Sequence, residues 1–146
     1  MYFVSRRGAC MVAIKITYEG QLRCKAVHKP SGQVILTDAP TDNMGKGEFF
    51  SPTDLAAAAL GTCMLTIMGI AANKYKIDIS GATADVIKQM SNVPSRQIGT
   101  LRVTINVPKA LTDEQKRILE NAAKGCPVHK SLSSSISIPI EFVYAK

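Results

Sequence analysis

The most constraining feature of this sequence is a long uncharged segment, residues 55–72, that contains no proline. Just before it, Ser51 can cap a helix, Pro52 suits the first helical position, and Asp54 follows three residues after the cap. These signals predict a helix that begins near Pro52. Because apolar side chains occupy every side of this helix, we expect it to be buried all round rather than amphipathic. The rest of the chain should therefore pack around it.

The length of this segment approaches the minimum for a membrane span. However, its alanine, glycine and threonine make it only weakly hydrophobic, and the sequence contains no second candidate span. We therefore interpret the segment as a core helix and expect no membrane association. The N-terminus lacks the apolar region and cleavage site of a signal peptide. This predicts a cytoplasmic protein, whose thiols stay mostly reduced.

Length and charge narrow the class of protein further. A chain of 146 residues most simply forms one domain. Its formal net charge is +7, but the lysines and arginines are dispersed and their longest runs are pairs. Such a dispersed basic surface does not resemble a nucleic-acid-binding patch. We therefore expect no nucleic-acid partner.

The remaining segments show strand and helix patterns in turn. Residues 1–10 carry no periodic signal and are interpreted as a poorly ordered N-terminal extension, which leaves residues 11–146 as a single domain. Apolar patterns predict strands within residues 12–18, 22–28, 33–37, 77–90, 97–107 and 135–144. A capping box from Thr112 to Gln115 opens a second helix, which Gly125 closes. The predicted class is α+β, with antiparallel sheets packed around the long helix.

Two cysteines lie where thiol chemistry would be possible. Cys63 lies several turns into the long helix, where the helix dipole has faded, so a reactive Cys63 would need a nearby cation. Cys126 immediately precedes Pro127 at a predicted helix N-terminus, where the dipole is expected to lower the pKa of the thiol. Together they suggest a redox pair. In such a pair one thiolate cleaves a peroxide O–O bond, and the second thiol condenses with the resulting sulfenic acid to form a disulfide.

The same residues permit a different function. His129 follows three residues after Cys126, so His129, Cys126 and Cys63 could supply three ligands to a metal. A non-enzymatic protein that binds a metal or an apolar small molecule is therefore the alternative to a redox enzyme.

Two motifs carry a resemblance to a known family. Residues 51–63 read SPTDLAAAALGTC, and residues 126–132 read CPVHKSL. Both resemble the OsmC/Ohr family, the osmotically inducible protein C and organic hydroperoxide resistance proteins. The order of predicted elements is also similar, so the likeness covers residues 11–146. It implies an OsmC-like fold in an intertwined homodimer.

The resemblance also implies an activity, that of thiol-dependent peroxidases in the oxidative stress response that prefer organic hydroperoxides. Cys63 matches the peroxidatic cysteine of the family and Cys126 matches the resolving cysteine. No bound cofactor is implied. The disulfide is expected to be reduced by an external dithiol, with a lipoyl group or lipoylated protein as the favoured type.

The family activates its reactive thiol with an arginine and a glutamate. Arg23 is the nearest candidate for the arginine. The family glutamate normally follows the proline at the helix start, where this chain has Thr53, so Glu48 and Asp54 are the candidate carboxylates. The resemblance therefore implies that Arg23, or another cation, contacts Cys63 in the folded protein.

Overall fold

The structure is a computed structural model that describes residues 3–4 and 10–146. Its strands are β1 (Phe3–Val4), β2 (Cys10–Met11), β3 (Ile14–Gly20), β4 (Arg23–His28), β5 (Val34–Asp38), β6 (Thr83–Ser91), β7 (Gln97–Val107) and β8 (Ile140–Tyr144). Its α-helices are α1 (Pro52–Tyr75), α2 (Asp113–Lys124) and α3 (Pro127–Ser131). A short 3-10 helix, Thr41–Asn43, lies between β5 and α1.

The chain forms two compact units, Met1–Leu55 and Ala56–Lys146, which we call the N-terminal unit and the C-terminal unit. The predicted N-terminal extension, residues 1–10, lies outside the described residues except for the paired strands β1 and β2. A single domain over residues 11–146 stays a prediction.

The N-terminal unit contains the predicted antiparallel meander, in the order β3-β4-β5. Directly opposed residues share one face of an antiparallel sheet, so the register assigns the side chains to two faces. One face, which we call the apolar face, carries Ile14, Ile16, Tyr18, Cys24, Ala26 and Ile35, with Thr37 opposite Cys24. The other face carries Arg23 of β4 and Asp38 of β5, which are directly opposed, together with Val27, Val34 and Leu36.

The sheet of the C-terminal unit is mixed. β7 lies between β6, with which it pairs antiparallel, and β8, with which it pairs parallel. The parallel pair differs from the antiparallel sheets expected from the sequence. The parallel pairing follows from the connection between the two strands. Parallel strands need a long crossover, usually helical, and α2 and α3 lie between β7 and β8 in the chain. The alternation predicted for β7 is confirmed by its fully buried residues Leu101, Val103, Ile105 and Val107.

One side of α1 belongs to the core of the C-terminal unit. Its buried stripe consists of Leu60, Met64, Met68 and Ala72. Gly61 allows a close approach to β6, because a Cβ at this position would lie 2.9 Å from Cγ2 of Val86. The opposite stripe is exposed and consists of Ala59, Thr62, Thr66, Ile70 and Asn73. In the single chain α1 is thus buried on one side, whereas the sequence predicted burial on all sides.

By length and composition, α1 passes the test for a helix that could cross a membrane, a test that the core helix of a soluble protein also passes.

Candidate active site

Cys126 lies between α2 and α3, and it is completely buried. As predicted, it is the N-cap of α3, with Pro127 at the first helical position. Its Sγ accepts a hydrogen bond from the backbone N–H of His129 at 3.3 Å. This geometry places the thiol inside the C-terminal unit, with its sulfur facing the start of the helix.

The predicted acidity of Cys126 is wrong. Burial raises the pKa of this thiol, and the neighbouring Cys63 raises it further. The backbone N–H groups of His129 and Val128 lower the pKa, but they do not outweigh burial. The predicted short helix is present, with five residues, and a helix of that length supplies only a weak dipole. Cys126 is therefore a neutral thiol near pH 7.

Cys63 is the second thiol of the site. It lies on α1, is partly buried, and packs against the core of the C-terminal unit. Its side chain interacts with the Cys126 thiol. Both cysteines are free thiols. The structure therefore brings together the two cysteines that the sequence predicted as a redox pair, although they are distant in the chain.

Arg23, the predicted activating cation, has three contacts within the N-terminal unit. Its Nη2 donates hydrogen bonds to Oδ2 of Asp38, at 3.2 Å, and to Oε2 of Glu48. The ring of Phe49 lies 4.6 Å from the guanidinium carbon, within the range of a cation–π interaction. The carboxylates of Glu48 and Asp38 raise the pKa of Arg23 above its already high value, so the group is always charged.

Sequence reasoning missed Asp38, whose side chain is completely buried. Burial alone would raise the pKa of this carboxyl, but the backbone N–H of Glu48 and the Arg23 guanidinium outweigh it and hold the pKa below its ordinary value. The predicted strand ended at Thr37, one residue short of Asp38. With the full strand, the meander register would have placed Asp38 opposite Arg23.

The two predicted carboxylates have different surroundings. Glu48 contacts Arg23, whereas Asp54 forms a capping box with Ser51 at the start of α1. Ser51 N–H donates to Oδ2 of Asp54 at 2.8 Å, and Asp54 N–H donates to Oγ of Ser51 at 3.1 Å. A role for Asp54 in thiol activation stays a prediction.

The contact between Arg23 and Cys63 also stays a prediction. Arg23 and Glu48 belong to the N-terminal unit, while both cysteines belong to the C-terminal unit.

The three-ligand metal site is not assembled. Among the residues that the structure describes, no three His, Cys, Asp or Glu side chains are grouped so that they could hold a metal ion. Cys63, Cys126 and His129 therefore do not form the ligand set that the Cys-x-x-His spacing permitted.

Comparisons with known proteins give matches of two kinds. A family model described as OsmC-like protein matches residues 45–141. A solved structure from Psychrobacter arcticus 273-4, of a protein proposed to act in osmotic stress and detoxification responses, is 45% identical, with a TM-score of 0.85; the match covers 90% of this chain and 96% of that chain. A comparison with curated proteins gave no match.

More distant solved structures share the fold. An organic hydroperoxide resistance protein OsmC from Legionella pneumophila is 14% identical, with a TM-score of 0.75, and the match covers 91% of this chain and 96% of that chain. The organic hydroperoxide resistance protein OhrB of Bacillus subtilis is 19% identical, with a TM-score of 0.63, and the match covers 90% of this chain and 97% of that chain. These likenesses confirm the predicted α+β fold.

Proposed function

Because the chain belongs to the OsmC-like protein family, we propose that it is a thiol-dependent peroxidase that reduces organic hydroperoxides to alcohols. The observation that carries this proposal is the interaction between the free thiols of Cys63 and Cys126 in the C-terminal unit. Of these two neighbouring thiols, one is partly exposed and the other is buried. This arrangement suits a reaction in which the exposed thiol attacks a peroxide and the buried thiol then forms a disulfide with it.

In the first step, the Cys63 thiolate attacks the distal oxygen of the hydroperoxide. An S–O bond forms as the O–O bond breaks, and the leaving alkoxide takes a proton to become an alcohol. Cys63 is oxidised to a sulfenic acid and the peroxide is reduced. Cys63 suits this step because it is the more accessible of the two thiols, partly buried where Cys126 is completely buried.

In the second step, the Cys126 sulfur attacks the sulfenic sulfur of Cys63. The S–S bond forms, the S–O bond breaks, and the hydroxyl group leaves with the thiol proton as water. The raised pKa of Cys126 fits this order of events, because a thiol that stays protonated competes poorly for peroxide and brings the proton that the leaving hydroxyl needs. Burial keeps it beside Cys63.

An external dithiol, of the lipoyl or lipoylated-protein type, then reduces the disulfide by thiol–disulfide exchange and returns both cysteines to thiols. Over one cycle, hydroperoxide and dithiol become alcohol, water and oxidised dithiol. The protein itself needs no bound cofactor for this cycle. A cytoplasmic location would provide the reducing conditions that the cycle requires.

The proposal predicts a specific disulfide. After about one equivalent of an alkyl hydroperoxide per protomer, we expect Cys63 and Cys126 to become linked, because their thiols already interact. Intact-mass measurement and peptide mapping check this. Cys24 of β4 is the internal control and should stay a free thiol, since it lies on the apolar face of the other unit.

If all the thiols stay reduced, the peroxidase proposal fails and the binding-protein alternative takes its place. A disulfide to Cys24 instead would contradict the assignment of Cys126 as the resolving cysteine.

We further propose that the protein works as a homodimer, as the family resemblance implies. On the apolar face of the N-terminal unit, Ile14 is 58% exposed and Ile16 and Tyr18 are each 64% exposed. The exposed stripe of α1 adds Ile70, at 60%. Exposed apolar surfaces of this kind mark interaction sites, and a second copy of the chain is the partner that would cover each of them.

Ile16→Asp is therefore expected to shift the protein from dimer to monomer, because a carboxylate on the apolar face of β3 would be desolvated in the dimer. Thr17→Asp is the matched control, since Thr17 is the next residue of the same strand and points to the opposite face. Sedimentation or light scattering at micromolar concentration measures the state. A wild-type monomer under these conditions, or equal dissociation of both variants, would contradict the proposed interface.

A further inference from the structure

Cys126 has a second role in the structure, because its side chain holds the start of α3. It is the N-cap of this helix, and its Sγ accepts a hydrogen bond from the backbone N–H of His129 at 3.3 Å. Such a cap satisfies one of the N–H groups that have no partner within the first turn of a helix. The sulfur that would form the disulfide is therefore also the sulfur that caps α3.

α3 depends on this cap more than a longer helix would. It has only five residues, Pro127–Ser131, and a helix this short is not stable without caps and packing. Val128 and Leu132, both partly buried, pack it against the core of the C-terminal unit. Without the cap, these two side chains would be the main support of the helix.

The chain before α3 is held independently of the Cys126 sulfur. At the end of α2, the N–H of Gly125 donates to the carbonyls of Asn121 and Ala122, each at 3.1 Å, and the N–H of Cys126 donates to the carbonyl of Ala123 at 3.2 Å. α2 also begins with its own capping box. When the sulfur moves, the backbone of Cys126 therefore stays with α2, and α3 is the element that has to adjust.

Oxidation changes what the Cys126 sulfur can bind. When a disulfide forms, the thiols of Cys63 and Cys126 together lose two electrons and two protons to the oxidant, and an S–S bond of about 2.05 Å joins them. To reach this length, the Cys126 sulfur has to move toward Cys63. A sulfur that is bonded to both carbon and sulfur has a fixed position, so its hydrogen bond to the His129 N–H is lost.

We propose that Cys63 and Cys126 form a redox switch for α3, in which the reduced Cys126 thiol caps the helix and the disulfide removes the cap and releases residues 127–132. This rests on the cysteine pair of the proposed function, but it does not require peroxide turnover. Cys126 is completely buried in the reduced protein, so release of α3 also gives the external dithiol access to the disulfide. The reductant could then distinguish the oxidised protein from the reduced one.

The test is hydrogen–deuterium exchange of the amides of residues 128–132, followed by mass spectrometry, in reduced and in oxidised wild-type protein. The oxidant is diamide, a diazene that takes up the two electrons and two protons and becomes a hydrazine. Peptide mapping verifies that Cys63 and Cys126 are linked. The amides of α2 are the internal control, because the capping box of that helix contains no sulfur.

Oxidation is expected to speed exchange in α3 by roughly 2- to 30-fold, which corresponds to the usual loss of stability when one N-cap is removed. Exchange in α2 should not change. Because this comparison uses wild-type protein alone, it decides the proposal even where a variant does not fold.

Three variants separate the cap from the disulfide, and thermal unfolding verifies that each is folded. Cys126→Ala removes the cap without forming a disulfide, so α3 should exchange as fast as in oxidised wild-type protein. Cys126→Ser is the matched control, because a serine hydroxyl is a strong N-cap, and its α3 should stay protected with or without diamide. Cys63→Ser keeps the Cys126 thiol as the cap and should also be insensitive to diamide.

Equal exchange of α3 in reduced and oxidised wild-type protein would overturn the proposal. Slow exchange in folded Cys126→Ala would do the same, since packing alone would then hold the helix. Faster exchange of α2 and α3 together would also contradict the switch, because it would indicate a general loss of stability.

The result is distinguishable from a failure of the proposed function. If diamide links the two cysteines and releases α3, but an alkyl hydroperoxide oxidises neither, the peroxidase proposal fails and the switch stands. If the hydroperoxide links them and α3 stays protected, the peroxidase proposal stands and the switch fails. If neither oxidant links them, both proposals fail.

Discussion

Replacement of Cys63 by serine is expected to abolish the reduction of alkyl hydroperoxides, with kcat/KM falling on the order of 10³-fold or more, as for loss of an essential nucleophile. The reason is chemical, because a serine hydroxyl stays protonated near pH 7 and cannot form a sulfenic acid. The measurement is steady-state turnover of an alkyl hydroperoxide with a dithiol as reductant. Cys63→Ser should also prevent formation of the intramolecular disulfide.

The matched control for this variant is Cys24→Ser. Cys24 is a free thiol on β4, in the N-terminal unit. It has no part in the proposed redox pair, and serine keeps the size of the side chain on the apolar face, so turnover should stay within about twofold of wild type. Equal losses in the two variants would point to a general effect of removing a cysteine. Full activity of Cys63→Ser would exclude Cys63 as the nucleophile.

The largest effect on stability is expected for Leu60→Ala. Leu60 lies on the buried stripe of α1, one turn before Cys63, and is fully buried within the core of the C-terminal unit. Truncation of a buried leucine to alanine typically costs about 2–5 kcal/mol, through lost burial and the cavity that remains. Urea-induced unfolding at fixed protein concentration measures the loss, since the stability of a dimer depends on concentration.

Met44→Ala is the matched control, because it removes a side chain of similar size from a position that is 87% exposed. Its free energy of unfolding should change by about 0.5 kcal/mol or less, as is usual at the surface. If Leu60→Ala were as mild, the side of α1 that packs into the core would have been assigned wrongly. Because Leu60 lies one turn from Cys63, whose side chain interacts with the Cys126 thiol, we also expect faster alkylation of Cys126 in this variant.

Much of the fold could be predicted from local signals. The Ser51 and Pro52 start signals located α1, the Thr112–Gln115 capping box located α2, and period-two alternation located β7. These features were predictable because caps and periodicity depend on residues within one or two turns of each other. The parallel pairing of β8 had no such signal, because it depends on where the connecting helices return the chain.

In the candidate site, too, the residue types could be predicted from the sequence, whereas their surroundings could not. Cys63, Cys126, Arg23 and Glu48 were identified from residue type and motif, and the structure pairs Arg23 with Glu48 and brings Cys63 to Cys126. The acidity of Cys126 was predicted wrongly, because a helix start is visible in sequence whereas desolvation by distant core residues is not. Asp38 was missed because its importance depends on its burial and on the strand opposite to it.

The sequence by itself therefore determined the elements, the class of fold, the family and the reactive residue types, since each depends on short-range patterns or on a recognisable motif. Only the tertiary structure decided that one face of α1 is exposed, that Cys126 is a buried neutral thiol, and that Asp38 joins Arg23 to the backbone of Glu48. These properties depend on which distant residues exclude water from a side chain and which return to pair with it.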